Sequence, residues 1–217
     1  MPPPGDPGDG PDWRYERELF DAGVRPVAGV DEAGRGALAG PVVAAAVILP
    51  DGEHPFRDSK TLTASQREAA AERVRAVARA WGVGFATAAE IDALGVPAAT
   101  VRAAIRAVRQ LRPAPAGLVT DYLPVAGPWR VLAPPRADAH SLQAAAASLL
   151  AKTERDRWMR EVADPAFPAY GFARHKGYGV GAHLAALARH GPCPLHRRRF
   201  APVARIALFP ERAGPDR

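Results

Sequence analysis

Apolar positions in this chain fall into short runs and helical stripes whose order outlines a fold. Val27–Val30 is a brief apolar run ending at Asp31, and Val42–Leu49 (VVAAAVIL) is a longer one closed by Pro50-Asp51-Gly52. Two such runs joined by a glycine-rich turn predict paired strands. Thr63-Ala64-Ser65-Gln66 has the spacing of a capping box, which predicts a helix opening there and running to about Arg79. Trp81–Ala88 reads as another strand. Pro97, favoured in a first helical turn, precedes Val101, Ala104, Ile105, Val108 and Leu111, spaced for one helical face. Leu118–Thr120 predicts a short strand ending at Asp121, with Trp129–Leu132 as its neighbour. The longest helix is predicted over about His140–Val162, with Leu142, Ala145, Leu149 and Trp158 along its stripe; a last one covers Gly181–His190. A meander followed by alternating strands and helices predicts an α/β domain with a mixed sheet.

At 217 residues the chain is expected to form one domain, over about 13–209. It is flanked by a Pro/Gly/Asp-rich tail at 1–12 and a similar one at 210–217, both expected to be disordered. No apolar run reaches the roughly 18–20 residues of a membrane span. Met1–Trp13 lacks the basic end and apolar stretch of a signal peptide, so a cytoplasmic protein is expected. A single cysteine, Cys193, excludes a disulfide framework and a Cys-based zinc site, and is read as structural. The net charge of +6 biases the chain toward polyanionic partners. Lys60, Lys152 and Lys176 are the only lysines; all other basic residues are arginine. Where arginine was free to replace lysine, surviving lysines mark positions that call for a compact ammonium.

The densest segment for chemistry is Gly29-Val30-Asp31-Glu32-Ala33-Gly34-Arg35-Gly36-Ala37-Leu38-Ala39-Gly40-Pro41. Its glycines do not make a dinucleotide loop, because such a loop must open a helix and here Pro41 leads into a strand. Adjacent carboxylates at a strand end remain, facing a glycine loop around one arginine. Asp121 stands at another strand end, and Asp138 just before the longest predicted helix. Carboxylates so placed are suited to hard cations, and four of them could hold two ions against a phosphodiester. A purely binding protein has no reason to gather acids beside a polyanion.

The segment GVDEAGRGALAGPVVAAAV resembles the N-terminal signature of the ribonuclease HII family. Similar blocks follow in order: Asp58-Ser59-Lys60, Glu90-Ile91-Asp92, Ala144–Asp156, His175-Lys176-Gly177-Tyr178-Gly179, and Gly191-Pro192-Cys193-Pro194-Leu195-His196-Arg197. All three lysines fall inside these blocks. The resemblance implies a ribonuclease H-like fold, with a central mixed five-stranded sheet, flanking helices and a helical C-terminal extension from about residue 165. It implies a monomeric endonuclease acting on RNA–DNA hybrids and on duplex DNA with embedded ribonucleotides, cutting 5′ to the ribonucleotide. It assigns Asp31, Glu32, Asp121 and Asp138 to Mg²⁺ or Mn²⁺, two ions during catalysis. Gly34, Arg35 and Gly36 read the 2′-hydroxyl, Tyr178 stacks on the next sugar, and Lys60 and Lys176 contact phosphates.

The chain departs from the family pattern in places. Ala37 stands for a usual proline, Tyr122 for a frequent glycine after the third acid, Arg136-Ala137 for Lys-Gly before the fourth, and Val180 for a common threonine. Ser148, Lys152 and Asp156 share one helix face, where a Lys152–Asp156 ion pair is expected. Arg189, His196, Arg197, Arg198, Arg199 and Arg205 read as a basic cluster suited to a DNA backbone.

Overall fold

The computed structural model describes residues 10–56 and 62–208. Helix α1 (Arg14–Asp21) leads into strands β1 (Val27–Ala33) and β2 (Val42–Ile48). Helix α2 (Ala64–Val77), strand β3 (Ala80–Ala86) and helices α3 (Ala88–Leu94) and α4 (Val96–Val108) follow. Strands β4 (Gly117–Thr120) and β5 (Arg130–Leu132) then precede α5 (Ala137–His140) and α6 (Leu142–Trp158). A π-helical turn (Met159–Ala163) continues α6 into the C-terminal helices α7 (Asp164–Ala166), α8 (Phe172–His175), α9 (Gly181–His190) and α10 (Ala201–Leu208).

The sheet runs β3-β2-β1-β4-β5. β1, β2 and β3 form an antiparallel meander, while β4 and β5 lie parallel to β1. This is the expected mixed five-stranded sheet. Alternation in β2 shows why its sequence is apolar throughout: Ala44, Ala46 and Ile48 pack with Ala103, Ala104 and Ala107 of α4, and Ala45 and Val47 pack with Ala146, Leu149 and Leu150 of α6. Both faces are buried, so period-two polarity disappears. Helix α6 lies on the sheet almost without side chains between. A Cβ on Gly29 would stand 2.0 Å from the backbone carbonyl carbon of Gln143 and 2.3 Å from the amide nitrogen of Ala144.

Several element ends differ from expectation. The capping box on Thr63 forms, with its hydroxyl accepting from Gln66 N, but the helix stops at Val77. A second capping box, Thr87 with Glu90, ends β3 at Ala86 and starts α3. The helix predicted over His140–Val162 is two: Ser141 interrupts it in extended backbone, and its hydroxyl caps α6 by accepting from Ala144 N at 3.0 Å. β1 continues past Asp31 to Ala33. The tail expected over 1–12 is docked at its inner end, where Asp12 N donates to His140 O and Leu142 N to Asp12 O. Residues 1–9 and 209–217 lie outside the described residues. Among the described residues no helix is long and apolar enough to cross a membrane.

Candidate active site

β1 and β4 are in register up to Val30 and Thr120, and there β4 ends. β1 runs on beside β2 alone, with Asp31 opposite Ala45 and Glu32 opposite Ala44. An open edge therefore faces the last residues of β1, at the carboxyl ends of two parallel strands. Clefts at that end of an α/β sheet are where ligands bind. A cavity of about 330 Å³ occupies it, lined by Asp31, Glu32, Gly34, Asp121, Asp138, Ser148, Lys152, Arg67 and Tyr178. Asp31 and Glu32 point to opposite faces of the strand, yet both border this cavity because the neighbouring strand is missing there.

Three of the acids have a hydrogen-bond partner in a different part of the chain. Asp31 is buried and hydrogen-bonded to Ser148 of α6; burial first, then the charges of Glu32 and Asp138, push its carboxyl well above the usual range. Glu32 is raised by burial and by Asp121 and Asp138, although Arg35 beside it pulls the other way. Arg35 Nη1 donates to Glu32 Oε1 at 3.0 Å, while Glu32 Oε2 is buried with no hydrogen-bond partner. Asp121 Oδ1 accepts from the amide of Ala137 at 3.1 Å, which ties the end of β4 to the start of α5. Asp138, the next residue, is 2% exposed. The short α5 thus brings the third and fourth acids to one place. Capping of α6 falls to Ser141 and not to Asp138. Among the described residues no group of three or more His, Cys, Asp or Glu side chains is gathered closely enough to hold a metal ion; the four acids line an open cavity instead.

Tyr122, where the family often has glycine, keeps a glycine-like backbone with φ 51°, and its side chain is 76% exposed. An aromatic residue in that region is strained by about 1–2 kcal/mol. The loop after β1 is held from beneath. Gly34 has φ 93°, and a Cβ there would lie 1.9 Å from Arg155 Nε, whereas a Cβ on Gly36 meets nothing within 4 Å. One glycine makes room for the interior and the other leaves the outer side open.

Arg197 is fully buried, which corrects its reading as part of a basic surface cluster. Its guanidinium donates to Gly34 O and Arg35 O, both at 2.7 Å, and to Gly40 O at 3.0 Å through Nε. His196 is buried too. Arg198 and Arg199 are exposed, and their backbone amides bond to the carboxylate of Asp92.

The Tyr178 ring borders the cavity beside Arg155, whose guanidinium carbon is 5.1 Å from its centroid, and Lys152, at 5.5 Å. Lys152 also makes the expected ion pair with Asp156, at 2.8 Å. Lys176 does not reach the cavity: its ammonium donates to Ala173 O, its φ is 54°, and its carbonyl accepts from Arg155 Nη2 at 2.9 Å. Lys60 lies outside the described residues. Arg67, on α2, borders the cavity and carries no sequence signal that sets it apart from the other arginines of that helix.

Comparison with known proteins bears on the chain's family and fold. The family model of ribonuclease HII matches residues 28–203. Ribonuclease HII of Thermus thermophilus is 59% identical over 186 residues, covering 85% of this chain and 91% of that protein. The crystal structure of ribonuclease H2 from Pyrococcus horikoshii superposes with a TM-score of 0.69 at 25% identity, covering 86% of this chain and 98% of that one. Bst-RNase HIII, solved in complex with Mn²⁺, shares the fold with a TM-score of 0.63 at 20% identity, covering 86% of this chain and 70% of that one. A match over most of the chain places it in the ribonuclease HII family, and with that family among the ribonuclease H hydrolases.

Proposed function

We propose that the chain hydrolyses the RNA strand of RNA–DNA hybrids and nicks duplex DNA 5′ to an embedded ribonucleotide, leaving 3′-hydroxyl and 5′-phosphate ends. The carrying observation is the meeting of four carboxylates at the open end of β1 and β4. Burial and the neighbouring carboxylates raise the protonation of Asp31 and Glu32, and Glu32 Oε2 is buried with no hydrogen-bond partner. Such a site repels a polyanion unless cations intervene. An all-oxygen donor set suits Mg²⁺ or Mn²⁺, and Asp31, Glu32, Asp121 and Asp138 would hold two ions. When bound, these supply Lewis acidity, an activated water for in-line attack and stabilisation of the departing 3′-oxygen.

The chain's own residues bind and orient. Ser148 holds the carboxylate of Asp31, Ala137 N holds that of Asp121, and Arg35 holds one oxygen of Glu32. Arg67 and Lys152 place positive charge on the cavity wall for the scissile strand. Arg197 turns the carbonyls of Gly34 and Arg35 inward, which leaves the outer side of the loop to meet a 2′-hydroxyl at close range. Tyr178 offers an apolar ring to the sugar of the following nucleotide. Lys60 and Lys176 belong to the flanking blocks, and Lys176 contributes through its carbonyl, which accepts from Arg155, while its ammonium is turned to Ala173 O. A non-catalytic nucleic-acid binder would share the charge but not the converging acids. Incubation with a duplex carrying one ribonucleotide, with Mg²⁺, with Mn²⁺ and with chelator, is the test. A metal-dependent nick 5′ to the ribonucleotide is expected, and its absence would overturn the assignment.

A further inference from the structure

We propose that Arg155 is a positioning residue that locks the Gly34–Gly36 loop and the Tyr178 ring into one relative arrangement. A hydroxyl on one sugar and its absence on the next are then tested together. This rests on the reading of these two elements as the ribonucleotide reader.

Arg155 sits in α6 with its side chain buried, where arginine is rare unless paired with an acid. Among the described residues no carboxylate is bonded to it. Its partners are backbone carbonyls from two segments far apart in sequence: Pro41 O at 3.0 Å and Ala39 O at 3.3 Å from the loop after β1, and Lys176 O at 2.9 Å from the segment carrying Tyr178. The side chain lies directly on Gly34, at the spot a Cβ would occupy. Its guanidinium carbon is 5.1 Å from the Tyr178 ring centroid, and Nη1 is buried with no hydrogen-bond partner.

The two segments are also stitched by main chain, since Leu38 N and Ala39 N both donate to Gly177 O. What the side chain adds is a rigid plane touching Gly34 on one side of the seam and Tyr178 on the other. Lysine keeps the charge but is a flexible point donor and cannot hold two segments at a fixed angle. The same helix carries Ser148, bonded to Asp31, so the reader is registered against the acids through one rigid element. A merely structural arginine would weaken the whole enzyme alike. A positioning arginine changes which substrate is cut.

The test is cleavage by Arg155→Lys of two duplexes, one with a single embedded ribonucleotide and one with an all-RNA strand, in the wild-type and Tyr178→Ala backgrounds. Tyr178→Ala is expected to lose most cleavage at the single ribonucleotide and less on the hybrid. Arg155→Lys should lose roughly 10- to 100-fold in kcat/KM at the single ribonucleotide, the scale of an ångström-sized misplacement, and several-fold less on the hybrid. It should add little further loss once Tyr178 is gone. Equal losses on both duplexes, or fully additive effects, would overturn the proposal. If Tyr178→Ala shows no selective loss, junction reading falls and this inference with it; if Tyr178→Ala is selective and Arg155→Lys is not, the inference alone falls. Should Arg155→Lys fail to fold, the Nε–H NMR resonance of Arg155 replaces it. That resonance should shift in Tyr178→Ala, and in the native enzyme with a single-ribonucleotide duplex under chelation but not with all-DNA duplex. An unmoved resonance would overturn the coupling.

Discussion

At the ends of β1 and β4, four carboxylates share an open cavity and repel one another; around α9, three histidines and a cysteine share a core in which each ring nitrogen is matched. His183 Nδ1 bonds to Tyr178 O at 3.0 Å and its Nε2 meets His196 Nε2 at 3.1 Å. His196 Nδ1 accepts from Cys193 N at 3.0 Å, so the neutral ring carries its proton on Nε2 and donates it to His183. His175 stacks on His183 and bonds to Tyr170 O and Gly177 N. By residue type the histidine cluster is the more tempting metal site. By satisfaction it is scaffold, because a ligand would have to break bonds already made. The carboxylates are a site because they face one open cavity together, with Glu32 Oε2 left without a hydrogen-bond partner.

Removing one acid should break the molecule's function and spare its fold. Asp31→Asn or Asp121→Asn keeps shape and removes a charge, and cleavage in Mg²⁺ should fall by at least ~10²–10³-fold, the scale of losing one electrostatic stabiliser. Binding of an uncut duplex, followed by fluorescence anisotropy, should hold or improve; near wild-type turnover would remove these residues from the ligand set. Asp138→Asn should be impaired likewise.

The next effects lie in stability. Arg197→Ala takes the guanidinium donor from the carbonyls of Gly34, Arg35 and Gly40 and should cost about 2–4 kcal/mol in urea unfolding, whereas Arg198→Ala should stay within about 0.5 kcal/mol. Similar losses for both would mean the arginine run is uniform surface after all.

The histidine core makes a pH-dependent contribution of its own. Burial, then the neighbouring His183, hold His196 down at about 4, against an ordinary 6.5. The unfolded chain takes up that proton before the folded one does, so this contribution is full above about pH 6.5. It is lost as pH falls through 4, by about 3 kcal/mol. The difference between wild type and His196→Gln should narrow over that window, and a difference independent of pH would contradict the sealed core.

Glu16 sharpens the comparison from the other side. It is buried, its Oε1 accepts from Ser141 Oγ and Gln143 N, and its Oε2 is buried without a partner. An unmatched carboxylate alone therefore does not make a site; four in mutual repulsion do. Burial raises Glu16 to about 7, so the fold favours its protonated form, and stability is lost as pH rises from about 4.5 through 7. Glu16→Gln should be more stable than wild type by about 1–2 kcal/mol at pH 8, once the stronger bonds to a charged acceptor are discounted, with the gap closing near pH 4.5. Cleavage should be unaffected. A loss of cleavage would show the two regions to be linked.

Periodicity and apolar runs revealed the strands and most helices, because β2 and α4 bury what their patterns announce. The acids were legible for a related reason: Asp31 follows directly on an apolar run and Asp121 comes one residue after another, just where the pairing of β1 with β4 ends. Ser141 was not legible as a helix break, since its role depends on Glu16 and Gln143, brought together only by folding. Nor was the burial of Arg197. Three arginines in a row look solvated, and the carbonyls that receive the first of them come from residues 34–40, more than 150 positions away. Arg155 was hidden likewise inside a block that reads as an ordinary charged helix end. Buried cations bonded only to main chain leave no pattern, because backbone carbonyls have no letter in the sequence.

The close seat of α6 on β1 also bears on how the chain can drift. A composition crowded with alanine is tolerated on α6, where Ala144 to Ala147 are buried and larger residues would lift the helix off the strand. Glycine to alanine is a single-base change that adds one methyl group. At Gly29 that change puts a methyl group 2.0 Å from the backbone of Gln143. It would push apart the strand bearing Asp31 and the helix bearing Ser148. A change of one methyl group is thus barred at a position that lines no part of the cavity, and the bar comes from the fit of helix on strand.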